Sequence, residues 1–297
     1  MKWLYSLPLC LLIYACSNPS KESPVSHPPV QDSVPVAEQD TGPKKQLDSS
    51  IQALMGELLV KGCVLIYDEK KNTYLSNSFD RADSVFLPAS TFKIPNSIIQ
   101  LENGNVKNLE SIQKWDGEKR HFAFWEKDMT FKEAYHKSCL PCYQKLALQT
   151  GFENMAKATE NLGFGNMRFD STDHHRFWVR GHSRISGMQQ IDFLRRLQHK
   201  ELNVSERTYG LMRRLMVLDS AEYHVLRGKT GWSVSGGRHV GWYVGFVENS
   251  QGTFYFATNI QALEGFERKK FAQTRIDLSW QVLENYGILK PDRLQAE

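Results

Sequence analysis

The chain has 297 residues, of which 41% are hydrophobic, 24% charged and 11% aromatic, and 37 basic against 33 acidic side chains leave a net charge of +4. That balance can bury a sizeable core and excludes a disordered or collagen-like chain for most of the length. The basic residues are scattered apart from short runs such as Arg268-Lys269-Lys270, which excludes an argument for nucleic acid as partner.

The opening MKWLYSLPLCLLIYAC places Lys2 before an apolar run too short to span a bilayer comfortably and ends on Ala15-Cys16. Residues 1–16 therefore read as an export signal. A cysteine after a small residue at the end of such a run also resembles the bacterial lipobox, which would make Cys16 a lipidation site, although Tyr14 is bulkier than that pattern prefers. Plain cleavage near Ala15 is the alternative. Residues 17–45 hold six of the eleven prolines and no aromatic side chain. They cannot bury enough apolar surface to offset their ordering entropy, so they are expected to be a disordered tether. The expected location is the periplasm, with attachment to the outer membrane if Cys16 is lipidated.

Residues 46–297 carry mixed helix and strand signals without internal repeats. LLVKGCVLIYDEKKNTYLSNS (58–78) predicts two strands around a charged turn. Ser90 to Glu102 predicts a helix ended by Asn103-Gly104. ISGMQQIDFLRRLQHK (185–200) spaces Ile185, Met188, Ile191, Phe193, Leu194 and Leu197 near the helical period. HVGWYVGFVENSQGTFYFATNI (239–260) predicts a hairpin, and a last helix is expected from about Lys270 to Tyr286. The fold class is therefore α+β: an antiparallel sheet flanked by helices, joined by both ends of the domain, with a mostly helical subdomain between.

Cys139 and Cys142 form a C-x-x-C pair without the strand and helix context of a redox motif, and their oxidation state is left open. Cys63 lies in CVLIY, an apolar run expected to be a buried strand with a free thiol. Paired cysteines at zinc spacing are absent. Asp173, His174, His175 and His182 lack a metal-ligand spacing and are expected to be solvated loop residues, so no metal is expected. Trp115, Phe122, Phe124 and Trp125 are assigned to packing.

The chemistry starts at Ser90 and Lys93 in PASTFKIPNS. Residues three apart share a helix face, so Lys93 Nζ can reach Ser90 Oγ, and a serine becomes a useful nucleophile when a base takes its proton. The lysine must be desolvated to serve, and Phe92, Ile94 and Pro95 are apolar. Read alone, the tetrad is a helix-capping serine beside a solvated lysine. Lys229-Thr230-Gly231 supplies a charge, a hydroxyl and a position at which substrate backbone can approach closely, which suits binding of a substrate carboxylate. Ser138, in KSCLPC, is a second hydroxyl at what looks like a helix start.

In this order and at these separations, STFK, SCL and KTG resemble the penicillin-recognising serine enzymes, and within them the class D β-lactamases, or oxacillinases. PASTFKIPNS is similar to their nucleophile segment almost residue for residue, and FGN at 164–166, RFW ending at Trp178, RIS and KTGW follow in order over about residues 50–290. The resemblance implies a β-lactamase/transpeptidase-like fold and hydrolysis of penicillins, with β-lactam antibiotics as partners, water as co-substrate and no cofactor beyond carbon dioxide or bicarbonate. It implies Ser90 as acylated nucleophile, Lys93 carboxylated to a carbamate that acts as general base, and Trp178 holding that carbamate. It implies Ser138 with Lys229 as the proton relay to the lactam nitrogen, and backbone N–H groups of Ser90 and Trp232 as oxyanion hole. Phe164, Asn166, Thr230, Gly231 and Arg275 would bind substrate, Arg275 through its carboxylate. Phe164 stands where the family has tyrosine, and Pro141-Cys142 where aromatic residues are more usual, two departures that bear on substrate preference. The alternatives are a β-lactam sensor that stays acylated and a penicillin-binding protein. A monomer or weak homodimer is expected.

Overall fold

The computed structural model describes residues 42–235 and 237–290 of the chain. The export signal, Cys16 and most of the 17–45 tether lie outside the described residues.

In chain order the elements are β1 (Lys44–Leu47), α1 (Ser49–Glu57), β2 (Val60–Asp68), β3 (Thr73–Ser76), α2 (Phe79–Asp83), α3 (Lys93–Glu102), β4 (Ile112–Gln113), β5 (Met129–Thr130), α4 (Phe131–His136), α5 (Leu140–Thr150), α6 (Phe152–Leu162), α7 (Gly187–Gln198), α8 (Glu206–Leu215), β6 (Val217–Ala221), β7 (His224–Ser235), β8 (Arg238–Asn249), β9 (Gly252–Ala262) and α9 (Phe271–Asn285). Seven strands form one sheet in the order β1-β3-β2-β9-β8-β7-β6. The amino-terminal strands join the carboxy-terminal hairpin through β2 and β9, paired from Val60↔Ala262 to Asp68↔Phe254. The helices α2 to α8 sit between the two sets of strands in sequence, which is the expected α+β arrangement.

Two details depart from expectation. The sheet is not wholly antiparallel, because β1 runs parallel to β3 with Lys44 opposite Thr73. Lys44 and Lys45, assigned to the tether, belong to this strand. All four of its side chains are exposed, so it is held mainly by backbone hydrogen bonds, with Lys45 Nζ 5.3 Å from the Phe79 ring centre, and no hydrophobic pattern marks it.

The apolar run CVLIY is continuous because both faces of β2 are covered. Cys63, Leu65 and Tyr67 point into a large core shared with α3, α5, α7 and α8. Val64 and Ile66 point into a second core closed by Ile51 and Met55 of α1 and Phe271 and Leu278 of α9. The two-residue period of a strand sorts alternate side chains into the two cores. Helix α7 starts at a capping box in which Ser186 and Gln189 satisfy each other's backbone N–H groups.

Candidate active site

Ala89–Phe92 make one 3₁₀ turn that runs without a break into α3. Ser90 caps neither segment with its side chain. Its Oγ instead accepts a hydrogen bond from Lys93 Nζ at 3.1 Å, so the pairing rather than the helix-cap alternative describes this serine. The turn is held on several sides. Ala89, at φ +50°, donates its N–H to the Trp178 carbonyl at 2.8 Å. Thr91 Oγ1 donates to the Pro88 carbonyl at 2.7 Å and accepts from Gln190 Nε2 at 2.8 Å. Trp242 Nε1 donates to the Leu87 carbonyl at 2.9 Å. A left-handed alanine costs roughly 1–3 kcal/mol and persists only where its surroundings over-determine it, and these bonds do so.

Lys93 is 1% exposed, and no carboxylate contacts it; desolvation lowers its pKa from 10.5 to about 7. Its Nζ lies over the Tyr143 ring, 5.0 Å from the centroid. Phe92 stacks on Trp178 with centroids 5.4 Å apart. Trp178 is fully buried and its indole Nε1 has no hydrogen-bond partner. A buried donor left unpaired costs about 1–3 kcal/mol, so this pocket wants an acceptor. A lysine that is partly neutral at pH 7 and an unpaired buried N–H together fit a carbamate on Lys93.

Lys229, on β7, approaches Ser138 with Nζ 2.5 Å from Oγ. Ser138 does not open α5; it precedes the capping residue Cys139, and its φ of +52° holds the hydroxyl toward the strand. Lys229 is 2% exposed and its pKa lies well below the usual lysine value, through burial first and then the positive charges of Lys93 and Arg275. Tyr135 donates its hydroxyl to the Gly228 carbonyl at 3.0 Å, and its ring faces Lys229 Nζ at 5.6 Å. Strand β6 pairs with β7 only as far as Arg227, so beyond Gly228 the outer edge of β7 has no strand neighbour among the described residues.

Gly231 meets a steric constraint within the protein itself. A Cβ there would sit 3.0 Å from the Pro88 carbonyl oxygen and 3.3 Å from Thr91 N, so the close neighbour is the turn that carries Ser90. Gly231→Ala is expected to push β7 off the Ser90 turn, destabilise the protein by about 1–3 kcal/mol and lower kcat/KM; thermal melts and steady-state kinetics read both effects, and an alanine variant with parental values would refute the role.

Arg275 of α9 is 7% exposed and donates from Nη1 to the Gly231 carbonyl at 2.5 Å, with burial lowering its pKa to about 10. Thr230 is half-buried beside Lys229, whose Nζ also donates to the Thr230 carbonyl at 3.1 Å. The Trp232 side chain turns to His239 and Phe271, leaving only its backbone as a candidate contributor.

Phe164 is not brought to the cleft surface, and Asn166 is exposed. Phe164 is 1% exposed and lies edge-on to Phe92 and Phe193 at 5.9 and 4.8 Å, so it supports the floor beneath Lys93. Asn166 pairs its backbone with Arg184 and accepts from Arg168 Nε at 3.3 Å. Cys139 and Cys142 form a disulfide beside Ser138, and Cys63 is free and buried. His174 is buried rather than solvated, its Nδ1 against the Ser171 carbonyl at 2.9 Å, and no group of metal-ligating side chains assembles among the described residues. Trp115, Phe122 and Phe124 are exposed, which corrects their assignment to packing. Phe122 and Phe124 stack at 5.1 Å, and Trp125 anchors the group through the Lys137 carbonyl, next to Ser138.

Tyr135, Tyr143 and Gln190 are the site residues that sequence reasoning missed. Each is an ordinary core residue by pattern, and only its partner 50 or more positions away gives it a part: Gly228, Lys93 and Thr91. Taken together, the site holds a half-buried serine bonded to one desolvated lysine, with a second desolvated lysine and a buried arginine near it and no carboxylate in contact among the described residues. Such a pocket attracts an anion and can move protons near neutral pH.

Residues 62–275 match the family described as the penicillin binding protein transpeptidase domain. The chain is 38% identical over 215 residues to the β-lactamase OXA-48 of Klebsiella pneumoniae, covering 72% of this chain and 81% of that protein. The solved structure of the class D β-lactamase YbXI from Nostoc is 36% identical, with a TM-score of 0.77 over 82% of this chain and 100% of that one. The C-terminal domain of the Bacillus licheniformis BlaR penicillin receptor is 25% identical, with a TM-score of 0.77 over 84% and 98% of the two chains.

Proposed function

The chain belongs to the class D β-lactamases, serine hydrolases, and from that premise we propose that it hydrolyses penicillins through an acyl-enzyme on Ser90. The observation that carries the reading is the hydrogen bond from a fully buried Lys93 to Ser90 Oγ at 3.1 Å. Ser90 Oγ forms an ester with the lactam carbonyl carbon while the ring C–N bond breaks. Its proton leaves toward the basic group at Lys93, and the Ser138–Lys229 pair delivers a proton to the departing nitrogen. The backbone N–H groups of Ser90 and Trp232 receive the carbonyl oxygen, and Arg275 with Lys229 and Thr230 receives the substrate carboxylate. Water then cleaves the ester and returns the Ser90 hydroxyl. Carbon dioxide adding to the neutral Lys93 amine, with release of one proton, would form a carbamate that supplies the general base, held by Trp178 Nε1.

That assignment has a sign in pH. Lys93 is protonated below its pKa of about 7, and an ammonium neither accepts a proton nor adds carbon dioxide. With bicarbonate present, kcat/KM is expected to fall about tenfold per unit as pH drops below about 7 and to level off above it; a profile flat down to pH 5 would exclude Lys93 as base.

A second reading, a receptor that acylates and stays acylated, is supported by the similarity to the penicillin-receptor domain. Time-resolved intact mass with excess benzylpenicillin separates the two. Product far beyond one equivalent with free enzyme recovered supports hydrolysis, a lasting adduct on Ser90 means a receptor or penicillin-binding protein, and no adduct refutes both. The Cys139–Cys142 disulfide supports an oxidising compartment, in keeping with export to the periplasm as part of the same proposal.

A further inference from the structure

A cavity of about 330 Å³ is bounded by Arg81, Arg184 and Arg238, with Ser233 and Gln261 between them. The arginine ion pairs of the described residues run through Arg120, Arg195, Arg196, Arg213 and Arg227, and none involves these three. Arg81 is fixed in place. Its Nε and Nη2 donate to Asn259 Oδ1 at 3.0 and 2.6 Å, and Nη1 donates to Gln261 Oε1 at 2.9 Å. Its guanidinium lies 4.0 Å from the centre of the Phe86 ring. A guanidinium has five N–H donors, so Arg81 keeps two in hand. Burial lowers its pKa, and no carboxylate offsets that effect. Arg184 uses only Nη1, on the Gly181 and Ser183 carbonyls.

The second observation is Ser233. It is 6% exposed, lines the cavity, and its Oγ has no hydrogen-bond partner. A buried hydroxyl without a partner is uncommon. Here it stands among three positive charges that themselves lack a counter-charge.

The place of the cavity also matters. Ser233 is on the same face of β7 as Lys229 and Gly231, about 7 Å beyond Gly231 at the rise of a strand. Leu87, three residues before Ser90, lines the cavity as well. The cavity thus adjoins the acylation cleft without sharing its lysines.

We propose that this cavity is a binding site for a small oxyanion, a carboxylate or a phosphate group. Arg81 offers a pre-oriented guanidinium, Arg184 and Arg238 close over the anion, and Ser233 Oγ donates the remaining hydrogen bond. The anion is either free in solution or an acidic side-chain substituent of a molecule acylating Ser90, and the recognising chemistry is the same for both.

Two measurements test the site and separate the sources. The first titrates the purified protein with inorganic phosphate at pH 7 and constant ionic strength. Saturable binding is expected, weakened about tenfold in Arg184→Gln and in Arg238→Gln and unchanged in Arg207→Gln, an exposed arginine elsewhere. It requires no turnover, so it stands whether or not the chain hydrolyses penicillins. The second rests on the hydrolase reading and compares KM for carbenicillin and benzylpenicillin, which differ by one side-chain carboxylate. A carbenicillin KM that rises about tenfold in Arg238→Gln, with benzylpenicillin unaffected, identifies the substituent as the anion. Phosphate binding with an unchanged KM ratio identifies a free anion. Phosphate that fails to saturate, or binds the two variants as it binds the parent, together with an unchanged KM ratio, overturns the site.

Discussion

Lys93→Ala is expected to lower benzylpenicillin turnover by about 10²–10⁴-fold, the usual worth of a general base, and to let an acyl-enzyme on Ser90 accumulate. Ser90 keeps its turn in the variant, because Ala89, Thr91 and Leu87 are held by Trp178, Gln190 and Trp242 rather than by the lysine. What disappears is the group that, on the proposed mechanism, takes the hydroxyl proton and activates water for the ester. Intact mass would show a persistent adduct, and recovery of parental turnover would refute Lys93 as base. Folding is not at risk from loss of the amine. With its pKa lowered from 10.5 to about 7, the buried lysine costs on the order of 5 kcal/mol at or below pH 7, at about 1.4 kcal/mol per unit. The cost fades as pH rises from about 7 to 10.5, where the unfolded chain also loses its proton. Lys93→Met keeps most of the volume and removes the amine, so its thermal midpoint at pH 7 is expected to be no lower than that of the parent. A Met variant that melts well below the parent would mean that the amine is stabilised by a partner not seen in the pocket.

Ser90→Ala is expected to remove both the adduct and turnover, with a loss of about 10⁴-fold or more, because the covalent route has no second nucleophile. Ser138 is the other hydroxyl at hand, yet its Oγ is engaged by Lys229 at 2.5 Å. Ser90 caps no helix, so the variant should melt within about 1 kcal/mol of the parent, as exposed or half-buried positions usually do. Penicillin should still bind reversibly, since the cationic groups of the cleft remain. An adduct of the expected mass in Ser90→Ala would move the nucleophile elsewhere.

Much of the fold is legible in the chain because its signals are local. The turn at 69–72, the helix at 187–198 and the hairpin at 238–262 each announce themselves by period and by turn residues within one element. Strand β1 does not, since an exposed edge held by backbone bonds leaves no trace in side-chain pattern. Ser90, Lys93, Ser138 and Lys229 are legible as a set through the order of their motifs. The part played by Phe164 is not: the same ring could face a ligand or lie beneath the lysine, and only its contacts with Phe92 and Phe193 place it in the floor.

By itself the sequence determined which reactive groups exist and which lie within one helical turn of each other: a serine three residues before a lysine, and a Lys-Thr-Gly on a strand. The tertiary structure decided what those groups can do. The lowered pKa of Lys93 comes from burial, with the Tyr143 ring against its Nζ, and the setting of Ser138 comes from Lys229, 91 positions away. Gly231 is needed because the turn carrying Ser90 crosses it, and the anion cavity forms where Arg81, Arg184, Ser233 and Arg238 meet from four separate segments. Desolvation, charge proximity and steric contact depend on distance in space, and distance along the chain does not set them.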